Sequence, residues 1–187
     1  MGRISVTPLR RWDTFRYLRV SSIEREEILD LHSISSPLES LQFLYLFGRL
    51  EMLPTWIPKL HNLVSLGLYG SRLTTSAMQA LQELPNLKEL FFWEFGYGEQ
   101  LYFYAEGFQK LKLLDFAHSE GLKSVIIEEG SLAVLEDLSI QCCPQLKEVP
   151  FGIHNLREFK YVFVFRKCQQ ISLTEFNQTK AKTIGRC

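Results

Sequence analysis

The sequence predicts an α/β solenoid, in which short parallel strands stack coil upon coil around a shared core. The first observation behind this prediction is a pattern, Leu-x-x-Leu-x-Leu with aromatic or β-branched substitutes, that occurs seven times in 187 residues. The second is its spacing, since the central positions are separated by 26, 22, 24, 24, 24 and 24 residues, within the roughly 20–29 residues of a known repeat unit. The central positions are Leu18, Leu44, Leu66, Leu90, Leu114, Leu138 and Val162.

Each part of the pattern has a structural reason. Leu66 and Leu68 stand two residues apart, so they point to the same face of a short strand. Leu63 turns inward as the chain enters that strand. One coil cannot bury these side chains alone, so neighbouring coils must stack, and their interfaces supply most of the stability. We therefore expect a leucine-rich-repeat horseshoe with about seven short parallel strands.

The returning half of each coil is expected to be irregular or 3-10 helical on the convex side. Prolines at Pro54 and Pro150 each follow an apolar residue and remove a hydrogen-bond donor where extended chain should turn. The segment 94–107 is rich in glycine and aromatic residues and is the best candidate for a functional loop outside the strands. Within it, we expect Leu101 and Phe103 to join the core, and we leave its three tyrosines open.

Composition indicates one globular domain of ordinary size. Apolar residues make up 46% and charged residues 22%, and 21 basic residues balance 21 acidic ones, so no overall positive field points to nucleic acid. Both ends are nevertheless basic. We expect a basic N-terminal segment at 1–14, a leucine-rich-repeat domain at 15–165, and a C-terminal tail at 166–187 that leaves the repeat and whose order stays open.

The sequence gives no sign of a membrane span, secretion signal, metal site or cofactor site. No apolar stretch approaches the roughly 18–20 residues that cross a bilayer, and the first residues lack the apolar region of a signal peptide. We expect a cytoplasmic protein and leave open a peripheral position at the plasma membrane through partners. The cysteines lack zinc-like spacing. Cys143 follows Ile140 by three residues, where this repeat places an inward Asn or Cys, so we interpret it as structural.

An enzyme is not expected. The four histidines are scattered over different returns, and none has an acid and a nucleophile in register. Asp115 and Asp137 belong to adjacent strands but are offset, so we interpret them as a polar rim rather than as a general acid and base. No small-molecule substrate is therefore expected.

Aromatic residues concentrate on the face of the strands opposite the core, which we call the concave face. It consists of positions three, five and seven of each repeat, and ten of these 21 positions are aromatic, whereas aromatic residues are 13% of the chain. Exposed aromatic clusters are typical of protein recognition. The predicted protein-binding residues are Tyr17, Arg19, Phe43, Tyr45, Phe47, Tyr69, Glu89, Phe91, Trp93, Asp115, Asp137, Tyr161 and Phe163.

Three interpretations of this face stay open at the level of sequence. It could contact a partner protein, or it could dock another domain of the same protein. Neighbouring aromatic side chains also stabilise each other across strands, so packing or coverage by the tail could account for some of them. Phe163 is the least certain because its strand is the last.

Three local motifs stand out within the repeats: GRLExLPxWI at 48–57, EEG at 128–130 and CxxLxxVPxGI at 143–153. With these motifs, residues 15–165 resemble the C-terminal repeats of plant coiled-coil nucleotide-binding leucine-rich-repeat disease resistance proteins. It implies a part in plant defence and innate immunity. The module would recognise a pathogen effector or a modified host protein, or it would dock the receptor's own nucleotide-binding domain.

The chain departs from that family in lacking a G-x-x-x-x-G-K-[ST] phosphate-binding loop. The family's nucleotide binding is therefore not transferred to it, and the sequence is interpreted as the truncated sensing end of such a receptor. The alternative is a cytosolic leucine-rich-repeat signalling scaffold that serves a GTPase or kinase pathway.

Overall fold

A computed structural model describes most of the repeat region. The described residues are 5–6, 15–22, 27–31, 38–73, 75–94, 98–158 and 160–165, with only the backbone at 5–6, 75 and 162–165. The tail expected at 166–187 and the side chain of Phe163 lie outside the described residues.

In the described part of the chain, the main sheet has eight strands, seven of which are parallel. The parallel strands are β2 (Tyr17–Ser21), β3 (Phe43–Phe47), β4 (Ser65–Tyr69), β5 (Glu89–Trp93), β7 (Leu113–Ala117), β9 (Asp137–Gln141) and β10 (Tyr161–Phe165). The antiparallel one is β1 (Ser5–Val6), which pairs with the outer edge of β2, so the basic N-terminal segment supplies a strand of its own. The sheet order is β1-β2-β3-β4-β5-β7-β9-β10.

The repeat register predicted from the sequence is confirmed. Leu18 pairs with Leu44, Leu44 with Leu66, and Leu66 with Leu90. The same alignment continues through the last three central positions to Val162. Unequal spacings of 26 and 22 residues therefore change the returns between strands and leave the strand register unchanged.

The inward positions form one core. In β3, Leu44 and Leu46 are fully buried, and Leu66 and Leu68 repeat this in β4. Burying such a side chain contributes about 1.5–3 kcal/mol. Each coil buries several of them, and this gain offsets the conformational entropy that the returns lose when they become ordered. The aromatic substitutes Phe92 and Phe116 take the same inward positions.

The convex returns include two short 3-10 turns, as expected. They span Ile57–Lys59 and Ile153–Asn155, after the two predicted prolines. Trp56 precedes the first turn and is buried, and its indole Nε1 donates a hydrogen bond to the carbonyl of Leu31 at 3.1 Å. The tryptophan thereby ties one return to the preceding one.

One return is an α-helix, which was not predicted. Helix α1 (Thr75–Gln82) buries Ala77, Met78 and Leu81, whose spacing of one, three and four residues puts them on one side of a helix. The segment contains good helix formers and neither glycine nor proline. The expectation of irregular or 3-10 returns overlooked this short helical periodicity.

A second, two-stranded parallel sheet lies on the convex side. It pairs β6 (Gln100–Phe103) with β8 (Ser124–Ile127). Leu101 and Phe103 are buried, which confirms that part of the candidate loop joins the core. The side-chain amide of Gln82, in α1, bonds to the backbone at the edge of β6. It donates to the carbonyl of Tyr102 at 3.1 Å and accepts from the N–H of Tyr104 at 2.8 Å.

A residue with positive φ follows most of the parallel strands. In chain order these are Gly48 at 143°, Gly70 at 68°, Glu94 at 53°, His118 at 56° and Cys142 at 58°. Only glycine adopts this region without strain, yet three of the five are not glycine. The turn out of the strand is therefore imposed by the stacked coils rather than by local preference.

Cys143 is buried, in agreement with its structural interpretation. Its exposed fraction is 3%, and its thiol donates to the carbonyl of Gln141 at 3.3 Å. Burial raises the pKa of the thiol above its usual value, which disfavours the reactive thiolate.

Candidate protein-binding surface

The alternation of side chains along each strand places positions three, five and seven on the concave face. Among the described residues, its most accessible aromatic side chains lie on the first and last parallel strands. Tyr17 on β2 is 42% exposed and Tyr161 on β10 is 60% exposed. Phe43 and Tyr45, on β3, are half-buried, and both rings lie near that of Tyr17, with centroids 6.5 and 5.6 Å away.

A row of stacked side chains crosses the middle of the face. The guanidinium of Arg19 lies over the ring of Phe47, at 4.2 Å from its centroid. Phe47 stacks on Tyr69 with ring centroids 4.4 Å apart, and Tyr69 meets Trp93 edge-on at 6.1 Å. The row ends at His118, whose ring lies 5.3 Å from that of Trp93. Five consecutive coils each contribute one member.

Gly67 makes room for this row. A Cβ atom at Gly67 would lie 2.5 Å from the ring of Tyr69 and 2.6 Å from that of Tyr45, so both rings use the space above this glycine. The hydroxyl of Tyr45 is then 2.9 Å from the hydroxyl of Ser65, which is fully buried. Because Gly67 has no side chain, the two tyrosine rings can line the centre of the face.

The exposure expected from periodicity is not found at three of the predicted binding residues. Tyr69, Phe91 and Trp93 are only 3%, 7% and 8% exposed. They form a small second core on the concave face, against which Phe47 and Leu113 pack. Burial raises the pKa of the Tyr69 hydroxyl well above its usual value.

The acidic residues of the face do not form a pair in register. Asp115 is aligned with Ser139 on the next strand, and Asp137 is aligned with Leu113. Both carboxylates are half-buried, as is Glu89 farther along the face. This agrees with their interpretation as a polar rim. Burial is the main reason that the pKa values of Tyr45 and Tyr69 are raised, and the charges of Glu89 and Asp115, respectively, raise them further.

Three residues of this surface were missed by the list of predicted binding residues. His118 follows its strand at position eight and was expected on a return. Ser65 and Gly67 shape the centre but carry no aromatic ring. The strand register could have identified them. Ser65 and Gly67 align with predicted residues on the neighbouring strand, and the ring of His118 lies next to that of Trp93.

The described part of the chain contains neither a metal-binding group nor a membrane-spanning helix. Its His, Cys, Asp and Glu side chains form no group of three that could hold a metal ion. None of the helices in these ranges is long and apolar enough to cross a membrane.

Comparison with known proteins agrees with this architecture. The profile of the family described as leucine-rich repeat region matches residues 4–184. The chain is 35% identical over 170 residues to disease resistance protein RPM1 of Arabidopsis thaliana, which covers 91% of this chain and 18% of the relative. It is 29% identical over 185 residues to RPH8A and 28% identical over 188 residues to RPP8, both of the same plant, and each match covers 83% of the chain and 20% of the relative.

The chain thus spans about a fifth of the length of the curated relatives it matches. Three findings lead to the same assignment. The strands stack in the register of the repeat, the family profile matches nearly the whole chain, and the three relatives are all disease resistance proteins. The chain belongs to the leucine-rich repeat region family and is a fragment-length counterpart of the repeats of plant disease resistance proteins.

Proposed function

We propose that the concave face is a protein-binding surface that acts in plant defence, in the cytoplasm. It would recognise a pathogen effector or a modified host protein. The observation that carries this proposal is the accessible aromatic patch at the start of the array, with Tyr17 exposed beside the half-buried Phe43 and Tyr45. Tyrosine and other aromatic residues dominate the binding energy of protein interfaces, and this patch lies next to Arg19, a second residue type enriched there.

A second mode of binding uses the same surface. In a receptor that carries a nucleotide-binding domain, the face would dock that domain and keep it inactive. The half-buried carboxylates of Glu89, Asp115 and Asp137 favour specificity in either mode, because partly buried charges reject partners that lack complementary groups.

The test uses a matched pair of tyrosines. Tyr17, on the concave face, and Tyr104, on the convex side, are 42% and 44% exposed. The full chain, its Tyr17→Glu variant and its Tyr104→Glu variant are expressed in leaf cells and crosslinked to their neighbours, which are identified by mass spectrometry. A nucleotide-binding domain of a resistance receptor is co-expressed as one candidate partner.

We expect neighbours that are recovered with the wild type and with Tyr104→Glu but lost with Tyr17→Glu. Recovery of the co-expressed nucleotide-binding domain in this pattern would assign the face to docking within a receptor. Recovery of GTPases or kinases alone would favour the signalling scaffold instead. An identical set of neighbours for all three chains would refute binding through the concave face.

A further inference from the structure

Two apolar side chains are exposed on the convex side, in the return that follows β9. Phe151 is 73% and Val149 70% exposed, more than any other large apolar side chain in the described part of the chain. The return at 53–57 offers a comparison, because it also begins with an apolar residue and proline and continues into a 3-10 turn. There the place of Phe151 is taken by Thr55, an exposed polar residue. The repeat itself therefore does not require an aromatic residue at this place.

Backbone pairing holds Phe151 on the outer surface of the convex sheet. Its N–H donates to the carbonyl of Val125 at 2.8 Å, and its carbonyl accepts from the N–H of Ile127 at 2.9 Å. Gly152, the next residue, is buried, and a Cβ there would lie 2.0 Å from the carbonyl oxygen of Ile127. Residue 151 thus continues the sheet beside β8, and its ring points into solvent.

Phe151 ends an apolar row that crosses the convex sheet. It is bridged to Ile126 of β8, and Ile126 is aligned with Tyr102 of β6. Both of these residues are half-buried. Together with Val149 and Phe151 they form what we call the convex patch. An aromatic side chain presents roughly 150–250 Å², so the patch offers a few hundred Å², whereas a stable dimer buries about 800 Å² on each partner. A patch of this size suits a short segment better than a second copy of the chain.

The strands and turns that carry the convex patch are acidic. The stretches 100–109 and 124–133 contain three carboxylates and neither Lys nor Arg. Lys123, just before the second stretch, is paired with Glu99, so it does not neutralise them. The three carboxylates belong to Glu106, Glu128 and Glu129.

Glu128 presents a fixed negative charge beside the apolar row. Its carboxylate accepts hydrogen bonds from the hydroxyl of Tyr102 and from the N–H of Ala105, the latter at 2.6 Å. These two hydrogen bonds lower the pKa of Glu128 below its usual value, so the group is ionised at neutral pH. Opposite charges across an interface select the partner, so this surface suits a segment in which Lys or Arg stands beside apolar residues.

We propose that the convex patch docks a short basic and apolar segment of a partner protein. The apolar side chains of that segment cover Phe151 and Val149, and one of its Lys or Arg side chains pairs with Glu128. Removal of the exposed ring from water supplies most of the affinity, and the carboxylate selects the charge of the segment. This is a second binding surface, on the opposite side of the coils from the concave face, and it does not depend on the proposed function of that face.

Fluorescence anisotropy with two labelled peptides tests the chemistry of the convex patch. One peptide alternates Leu with Lys, and the other alternates Leu with Glu. The full chain is compared with Phe151→Thr, which copies the return at 53–57, and with Glu128→Gln, which keeps an acceptor for its two hydrogen bonds. Met52→Thr is the matched control, because Met52 is 58% exposed on another return, outside the patch. Circular dichroism verifies that each variant is folded.

We expect the Leu–Lys peptide to bind the wild type and Met52→Thr equally and to bind Phe151→Thr roughly tenfold or more weakly. Binding to Glu128→Gln should be weaker than to the wild type and less sensitive to salt. The Leu–Glu peptide should not bind. Equal affinity of the Leu–Lys peptide for all four proteins would overturn the proposal, because the attraction would then arise elsewhere on the surface. Preference for the Leu–Glu peptide would overturn it as well.

Crosslinking in leaf cells distinguishes the convex patch from the concave face. Neighbours that dock on the patch should be lost with Phe151→Thr but retained with Tyr17→Glu and Met52→Thr. Their crosslinked segments should contain Lys or Arg beside apolar residues. Retention of every neighbour with Phe151→Thr would reject docking on the patch, whatever the result for Tyr17→Glu. If the lost neighbour is a second copy of this chain, shown by crosslinks between isotopically light and heavy chains, the patch is a dimer interface and the proposal is wrong.

Discussion

The side chain of Arg19 lies over Phe47, which belongs to the next coil, and Phe47 stacks in turn on Tyr69 of the coil after that. The concave face therefore carries its own contacts between coils, in addition to those of the core. Contacts between neighbours set the stability of a repeat array, so this row of side chains should contribute to folding as well as to binding.

The first prediction concerns Tyr69. Its ring is 3% exposed and stacks 4.4 Å from that of Phe47, so we expect Tyr69→Ala to lower the free energy of unfolding by about 3–5 kcal/mol, as for a large core residue. The matched control Tyr17→Ala removes an exposed ring and should cost about 1 kcal/mol or less. Urea unfolding followed by far-ultraviolet circular dichroism measures both. Equal costs would mean that Tyr69 is not packed as described.

The second prediction concerns the space above Gly67. Gly67→Ala introduces a methyl group 2.5 Å from the ring of Tyr69, so the rings must shift, and we expect a loss of about 1–3 kcal/mol. The near-ultraviolet circular dichroism should change because the tyrosine rings reorient. Ser139→Ala, at the equivalent position three strands along, serves as the control and should leave that spectrum intact. A spectrum unchanged in Gly67→Ala would contradict the close approach.

The third prediction separates backbone strain from steric contact. Gly70 and Gly152 both have positive φ, at 68° and 79°, so alanine costs about 1–2 kcal/mol at either site through the backbone alone. At Gly70 the new Cβ meets nothing closer than 3.7 Å, whereas at Gly152 it would lie 2.0 Å from the carbonyl oxygen of Ile127. We expect Gly152→Ala to be clearly the more destabilising in thermal unfolding. Equal melting temperatures would reject this difference.

The fourth prediction concerns acid. Lys112 and Lys160, from the two flanking coils, lower the pKa of Glu136 to about 2 from a usual 4.5. A carboxylate with a lowered pKa in the folded state stabilises it above the usual pKa, and this contribution is lost as the pH falls from about 4.5 towards 2. The Glu136→Gln variant should therefore lose less free energy of unfolding than the wild type as the pH falls through this range, most visibly at low ionic strength. Denaturant unfolding at a series of pH values measures this. The exposed control Glu148→Gln should show the same pH dependence as the wild type.

The fifth prediction concerns Cys143. Because its thiol is 3% exposed and burial raises its pKa, alkylation by iodoacetamide should be negligible in the native protein and fast in denaturant. Peptide mapping identifies the modified residue. Rapid native alkylation at Cys143 would contradict its structural role and would reopen a redox interpretation.

Much of the fold was predictable because each coil repeats the one before it along the axis of the solenoid. Once Leu66, Leu90 and Leu114 are recognised as equivalent, their pairing in the sheet follows, and so does the burial of Leu68 and its counterparts. The same argument identifies the concave face, since alternation along a strand leaves only one other side.

What the repeat does not dictate is harder to predict. Helix α1 depends on eight residues whose local periodicity differs from that of their neighbours. The burial of Phe91 depends on its packing with Tyr69 and Trp93, which periodicity does not encode. His118 and Glu94 adopt positive φ because neighbouring coils set the path of the chain, so their own preferences give a misleading signal.

Strand β1 has a consequence for assembly. It runs against the direction of every other strand in the sheet, with Ser5 opposite Ser21 and Val6 opposite Val20. An open parallel edge is a template on which another chain can polymerise. The two-residue reversed strand covers part of that edge and interrupts the parallel pattern that stacked copies would continue, which disfavours head-to-tail stacking on β2.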